Sequence, residues 1–302
     1  ATAADVLADL GARRARRAPR RLKRPLFLGG AAAFALLLAA LAFVPVFPWN
    51  RPRLTRLVSD GAGAVLALDG EGRILWRRDG AERGKDVALA RLGEGRVGAV
   101  AVRGGRDEPK KALVALDPLS GRVAWEMPLP DPSYAFPGFA KTFLPGALYP
   151  FDADGDGADE VAVTFQQVPL YPSTTFLCDP VRRRVLGAFY ASGHHYPREA
   201  VDVDGDGRRE LILLGFANRM GYSGALAALK VRPPSDAARG GNELPSAETP
   251  DRPTWSGGES LLAWYALVPV SLLNGPKLPP VVASPRGIRI GEAGGPHFDV
   301  AL

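Results

Sequence analysis

The chain has 302 residues, 46% of them hydrophobic, which is enough to bury a core, and its 35 glycines and 28 prolines favour turns and strands over helix. A single cysteine, Cys178, excludes an intramolecular disulfide. The formal charge of +6 does not describe a basic surface, because eight Lys and Arg fall within residues 13–24, only Asp5 and Asp9 oppose them before residue 25, and the remainder is balanced, so no nucleic-acid partner is expected.

The first segment, 1–25, reads as a cytoplasmic basic tail held by anionic lipid, with Thr2 capping a short helix over 2–12 that aligns Val6 and Leu10. No residue from Leu26 to Asn50 is charged. The apolar run that ends at Val44, with the Pro45–Pro48 stretch, is long enough to cross about 30 Å of hydrocarbon, so 26–48 is expected to be a single transmembrane helix. Basic residues before the run and Trp49 after it place the N-terminus in the cytoplasm of a bacterial-type inner (plasma) membrane. Residues 49–302 are then periplasmic or extracellular. A cleaved signal peptide is the alternative, since Ala40-Leu41-Ala42 has the small residues of a cleavage site; the length of the apolar run favours an anchor.

Beyond the anchor the chain repeats itself. Ala64-Val-Leu-Ala-Leu-Asp-Gly-Glu-Gly-Arg-Ile-Leu-Trp76 and Ala112-Leu-Val-Ala-Leu-Asp-Pro-Leu-Ser-Gly-Arg-Val-Ala-Trp125 each read as two strands around an Asp-containing turn, closing on an aromatic. Phe176–Leu186 is a third copy, with Asp179-Pro180 falling 62 residues after Asp117-Pro118. The same shift lays Leu92–Ala101 on Asp154–Val163. Two features that share one offset define a unit of two hairpins and four strands. Four-stranded sheets repeated radially make a β-propeller.

Two nine-residue loops follow the pattern DxDxDGxxE, at Asp152–Glu160 and Asp202–Glu210. Carboxylates at positions 1, 3, 5 and 9 with Gly at 6 supply converging oxygens for a hard cation. The expected Ca2+ ligands are Asp152, Asp154, Asp156 and Glu160 with the Ala158 carbonyl, and Asp202, Asp204, Asp206 and Glu210 with the Arg208 carbonyl, for two ions. Each loop feeds a β-type run, Val161–Phe165 or Leu211–Leu214. The degenerate copy has Ala90, Leu92 and Gly98 where carboxylates would stand and keeps only Glu94 and Gly95, so that turn is expected to be structural and empty.

The DxDxDG loops resemble the FG-GAP or VCBS repeats of integrin α-chain heads and bacterial surface proteins, while segments 66–76 and 114–125 resemble the outer strands of quinoprotein-type (PQQ-like) repeats. Together the likenesses cover roughly residues 54–231. They imply an all-β propeller with Ca2+ on its rim, and a binding or scaffold module rather than an enzyme.

The expected units are 54–80 with three strands, 85–129, 145–192, a shorter 196–231, and a last one from Glu259 to Ile290 that includes Leu261–Leu267. Segment 232–258, rich in Pro, Gly, Ser and Asp, reads as a long surface loop. Asp299-Val-Ala-Leu302 repeats Asp86-Val-Ala-Leu89, so the terminal strand is expected to complete the opening sheet and close a ring of about five blades.

Few other residues carry chemistry. His194-His195 and His297 read as solvated loop histidines, Cys178 as a small buried strand residue, and Trp76 and Trp125 as packing aromatics. Neither GxSxG, a Walker loop nor HExxH occurs. The function expected is that of a non-catalytic, membrane-anchored extracytoplasmic propeller that binds Ca2+ and scaffolds protein interaction, as an accessory subunit of a larger membrane complex. The alternatives are an extracytoplasmic sensory or adhesion module and a quinoprotein-like oxidoreductase, for which the chain is short. Partner contacts are expected on the insertions 103–111, 129–145, 164–174 and 232–258.

Overall fold

A strand that is apolar at every position, such as Leu211-Ile-Leu-Leu214, needs cover on both faces. The fold supplies that cover by stacking sheet against sheet. The computed structural model describes residues 52–81, 84–104, 110–133, 143–168, 172–218, 223–231, 254–256, 262–269, 273, 279–284, 287–291 and 297–300. The chain divides into Ala1–Arg51 and Pro52–Leu302. The basic tail and the expected membrane helix lie outside the described residues, as do most of 232–258 and parts of the other insertions. Among the described residues no helix is long and apolar enough to cross a membrane.

The described domain is all-β, in five antiparallel sheets. The first holds β1 (Arg56–Ser59), β2 (Ala64–Leu68) and β3 (Ile74–Asp79) in sequence order. The second runs β4 (Val87–Arg91), β5 (Val97–Arg103), β6 (Ala112–Leu116) and β7 (Val123–Pro128). In the third, β8 (Phe143–Phe151), β9 (Glu160–Gln167), β10 (Ser173–Asp179) and β11 (Arg184–Ala191) are joined by β15 (Thr254–Ser256) on the β11 edge. The fourth is β12 (His195–Val201), β13 (Glu210–Ala217), β14 (Ser223–Leu229) and β16 (Leu262–Val268). The fifth is β17 (Val281–Ser284), β18 (Gly287–Gly291) and β19 (His297–Val300). The first strands of successive sheets lie side by side, β1 by β4, β4 by β8, β8 by β12 and β12 by β17.

Because successive side chains of a strand point to opposite faces, each inner sheet divides its apolar residues between two neighbours. In β5, Ala99 and Ala101 pack with Val65, Ala67 and Trp76 of the first sheet, whereas Val100 and Val102 pack toward the third. In β9, Val161, Val163 and Phe165 face the second sheet while Ala162 faces the fourth. In β13, Leu211 and Leu213 meet Leu177 and Phe189 of the third sheet, and Ile212 and Leu214 meet Ile288 and Ile290 of the fifth. Cys178 is fully buried in β10, as its strand position predicts, and burial pushes its thiol pKa up.

The Asp turns link neighbouring sheets. Asp69 Oδ1 accepts the amides of Glu71 and Arg73, Asp117 Oδ1 those of Leu119 and Ser120, and Asp179 Oδ1 that of Arg182. Trp76 of β3 donates its indole N–H to Pro118 O at 3.2 Å, and its ring lies so close to Gly121 that an added Cβ would sit 2.9 Å away. Trp125 of β7 meets the next Asp turn, with the Arg183 guanidinium 5.4 Å from its ring centroid.

Four expectations are corrected. Segment 232–258 is not loop throughout, since β15 pairs with β11 through Tyr190↔Thr254 and Ala188↔Ser256; three residues are too few to display a period. Residues 262–268 do not belong to the last sheet but pair with β14, from Gly224↔Val268 to Leu229↔Leu262, because that edge lacked a fourth strand. The terminal strand does not complete the first sheet either: β19 pairs with β18, Ile288 opposite Val300, and the cross-strand pair Arg289 Nε to Asp299 Oδ1 at 2.8 Å fits that register. Finally, His195 is no solvated loop residue, being 0% exposed at the start of β12.

The alternation has a direct consequence. Leu213→Ala should cost about 2–5 kcal/mol by urea denaturation, because Leu213 is fully buried between two sheets. Val282→Ser should stay within about 0.5 kcal/mol, since Val282 is 58% exposed.

Candidate metal centre

Each acidic loop joins the first strand of a sheet to its second: 152–159 runs between β8 and β9, and 202–209 between β12 and β13. Position 6 must turn the chain through a left-handed conformation, and Gly157 and Gly207 adopt φ of +85° and +84°. The two loops are folded by the same set of hydrogen bonds. Asp152 Oδ1 and Oδ2 accept the amides of Gly155 and Gly157 at 2.8 and 3.2 Å, and Asp202 accepts those of Gly205 and Gly207 at 2.6 and 2.9 Å. Asp154 and Asp204 each accept an amide two residues on at 3.3 Å; Asp156 accepts from Ala158 at 2.8 Å and Asp206 from Arg208 at 2.9 Å. Glu160 Oε2 closes the first loop by accepting Ala153 N at 3.0 Å, and Glu210 Oε2 closes the second by accepting Val203 N at 2.9 Å.

In the first loop, oxygens of Asp152, Asp154 and Glu160 lie within 4.8 Å of one another; in the second, those of Asp202, Asp204 and Asp206 do. Asp156 and Glu210 remain outside these two tight groups. Glu160 and Glu210 are the deepest carboxylates of their own loops, at 7% and 1% exposed. Burial, and then the neighbouring carboxylates, push the Glu160 pKa up to about 7 against the pull of the Ala153 amide, and burial pushes Glu210 up as well. An all-oxygen set from carboxylates is the donor chemistry of a hard cation such as Ca2+.

Two cationic side chains that the motif does not announce complete the setting. Arg91, at the end of β4 in the preceding sheet, exchanges backbone bonds with the first loop: Asp159 N donates to Arg91 O at 2.8 Å, and Arg91 N donates to Asp159 Oδ2 at 2.7 Å. Its guanidinium bonds Asp159 Oδ1 through Nε at 3.0 Å and through the terminal nitrogen at 2.7 Å, and that nitrogen is 3.5 Å from Asp152 Oδ2. In the second loop the Lys230 ammonium pairs with Asp204. The sequence held a signal for Arg91, because the 62-residue shift lays it on Ala153, and both carbonyls receive the amide of position 8 in the next loop, Asp159 N or Arg209 N, at 2.8 Å. Lys230 had none, since its approach depends on where β14 ends. The degenerate copy is a tight hairpin, with Leu92 N donating to Arg96 O at 2.8 Å and Glu94 at φ +52°.

A pocket of about 140 Å³ adjoins the first loop, lined by Asp154, Glu160, Asp179, Arg182, Arg184, Leu186 and Val231 among others. The histidine pair lies elsewhere, at the start of β12. His195 Nδ1 contacts Gly193 O at 3.1 Å, and its backbone N–H donates to Ser173 Oγ at 3.3 Å, while His194 Nε2 contacts Gln167 O at 3.0 Å.

No protein-family model and no curated protein matches the chain. Among solved structures it is similar to the C-terminal domain of Pseudomonas aeruginosa PilY1 at 12% identity and a TM-score of 0.44, over 80% of this chain and 67% of that one. It is also similar to a europium-containing methanol dehydrogenase (16% identity, TM-score 0.34, 60% of this chain and 40% of that). A third is the rhamnogalacturonan lyase YesW (13% identity, TM-score 0.35, 60% and 41%). The chain therefore spans about two fifths of the length of those last two. Likenesses this distant carry no argument about function.

Two outcomes follow from the geometry. Arg91→Ala leaves the largely buried Asp159 without its cation and should cost about 1–2 kcal/mol, below the figure for a fully buried pair because the guanidinium is 44% exposed. Chemical denaturation measures it, with Arg103→Ala, from an exposed pair with Glu126, as the control near zero. Burial, with the neighbouring His194, holds the His195 imidazole down at about 4, against the carbonyl of Gly193. Below the ordinary value near 6.5 the unfolded chain takes up a proton that the folded chain refuses. The stability that rests on His195 is thus complete above about pH 6.5 and falls as pH drops toward 4, by up to roughly 3 kcal/mol. In His195→Gln the difference in unfolding free energy between pH 7 and pH 5 should be smaller than in the wild type.

Proposed function

We propose that the chain is a β-propeller of five sheets, bearing two Ca2+ sites on one rim and acting as a non-catalytic protein-interaction scaffold outside the cytoplasm. The supporting observation is the pair of glutamates, Glu160 and Glu210. Each is more than nine-tenths buried, bonded through one oxygen to a loop amide, and set among further carboxylates of its own loop. A carboxylate removed from water without a cation is costly, and a divalent ion within Asp152, Asp154, Asp156, Glu160 and the Ala158 carbonyl relieves that cost. Asp202, Asp204, Asp206, Glu210 and the Arg208 carbonyl form the second set. The propeller reading is supported by five antiparallel sheets packed face to face in sequence order, with their first strands adjacent.

The membrane placement rests on the sequence. An uncharged run from Leu26 to Asn50 behind eight basic residues supports a single-pass anchor with the propeller on the far side of a plasma membrane, as an accessory subunit of a membrane complex. There even a cation site of millimolar affinity is filled. Purification of the full chain in mild detergent should yield a stoichiometric complex; recovery as a lone monomer counts against the subunit reading.

The cation reading has its own test. Chelation of Ca2+ should lower the melting temperature of the full chain by about 5–10 °C, and the double variant Asp156→Ala with Asp206→Ala should no longer respond to chelator. An unchanged melting temperature in the wild type would defeat the reading.

A further inference from the structure

The two acidic loops are joined through the backbone of one residue, Ala153. Ala153, position 2 of the first loop, donates its N–H to Glu160 Oε2 at 3.0 Å, and its C=O accepts Arg209 N at 2.8 Å. Arg209 is position 8 of the second loop and precedes Glu210, whose Oε2 is bonded to Val203 N. Both ends of this relay are buried, with Ala153 at 1%, Glu160 at 7% and Glu210 at 1% exposed. The contact crosses from the third sheet to the fourth, whose facing side chains are packed around Ala153 in one apolar cluster.

We propose that the two sites bind their cations with positive coupling through the backbone of Ala153, an inference that rests on the cation reading above. An ion in the first loop draws on Glu160 and so fixes the Ala153 amide. The carbonyl that holds Arg209 lies on the next peptide plane, across the Ala153 Cα, so fixing the backbone of this one residue orients it as well. Ordering the first loop thereby sets the backbone that presents Glu210 to the second ion, and the ordering cost shared by the two loops is met once. By reciprocity an ion in the second loop strengthens the first site by the same factor. The corresponding bond on the other side of the first loop, Asp159 N to Arg91 O, ends on a residue with no acidic loop of its own, so coupling runs only between these two sites.

Calcium titration of the full chain by calorimetry tests this with three variants. Asp154→Asn and Asp204→Asn each remove one charge from one loop while keeping the acceptor for the amide two residues on, so each reports the other site alone. The product of the two association constants of the wild type should exceed the product of the two single-site constants by about fivefold or more. Arg209→Pro removes the linking N–H along with the Arg209 side chain and should bring the two products together; circular dichroism checks that it folds, and the comparison of the two Asn variants with the wild type stands without it. Equal products with both sites binding would overturn the coupling and leave the cation reading intact. Absence of Ca2+ binding in the wild type would overturn both.

Discussion

Every inner sheet of this domain is covered on two sides, and that constraint organises the rest. β9 is buried along its whole length and β13 at every position but Phe216, with alternate residues committed to different neighbours. Sheets so divided cannot stand singly, because each supplies half of two cores. The apolar clusters therefore lie between successive sheets, and the sequence order of sheets becomes their order in space.

Polar contacts then fix how one sheet meets the next. The Asp turn of one sheet receives the tryptophan of the sheet before it, through Trp76 with Pro118 and Trp125 with Arg183. On the inner hairpins the same step is taken by backbone, with position 8 of a loop donating to the preceding unit. The carboxylates at Asp152–Glu160 and Asp202–Glu210 are added to a corner that the fold already uses, since the hairpin at Leu92–Arg96 occupies the equivalent place without them. In these terms the acidic loops tie neighbouring units at a shared edge, and their chemistry is set by how deeply Glu160 and Glu210 are sunk.

Much of this could be read along the chain wherever spacing carries the information. The shared 62-residue shift gave the hairpin units, and DxDxDGxxE marked both loops and the strands they feed, Val161–Phe165 and Leu211–Leu214. Pairing between distant segments was not legible. Thr254-Trp255-Ser256 is too short for a pattern, and the apolar run of β16 suits any open edge equally. The repeat of Asp-Val-Ala-Leu at the two ends suggested a partner for the last strand, but the tight sequence distance to β18 and the Arg289–Asp299 pair prevailed.

The sequence by itself determined the all-β class, the repeated unit, the two acidic loops and the burial of Cys178, because each depends on local spacing or on residue type. Only the tertiary structure decided which edge received β15, β16 and β19, that His195 is enclosed, and that Lys230 reaches the second acidic loop. Those outcomes depend on which surfaces remain uncovered once neighbouring sheets have packed, and a linear order of residues does not specify that.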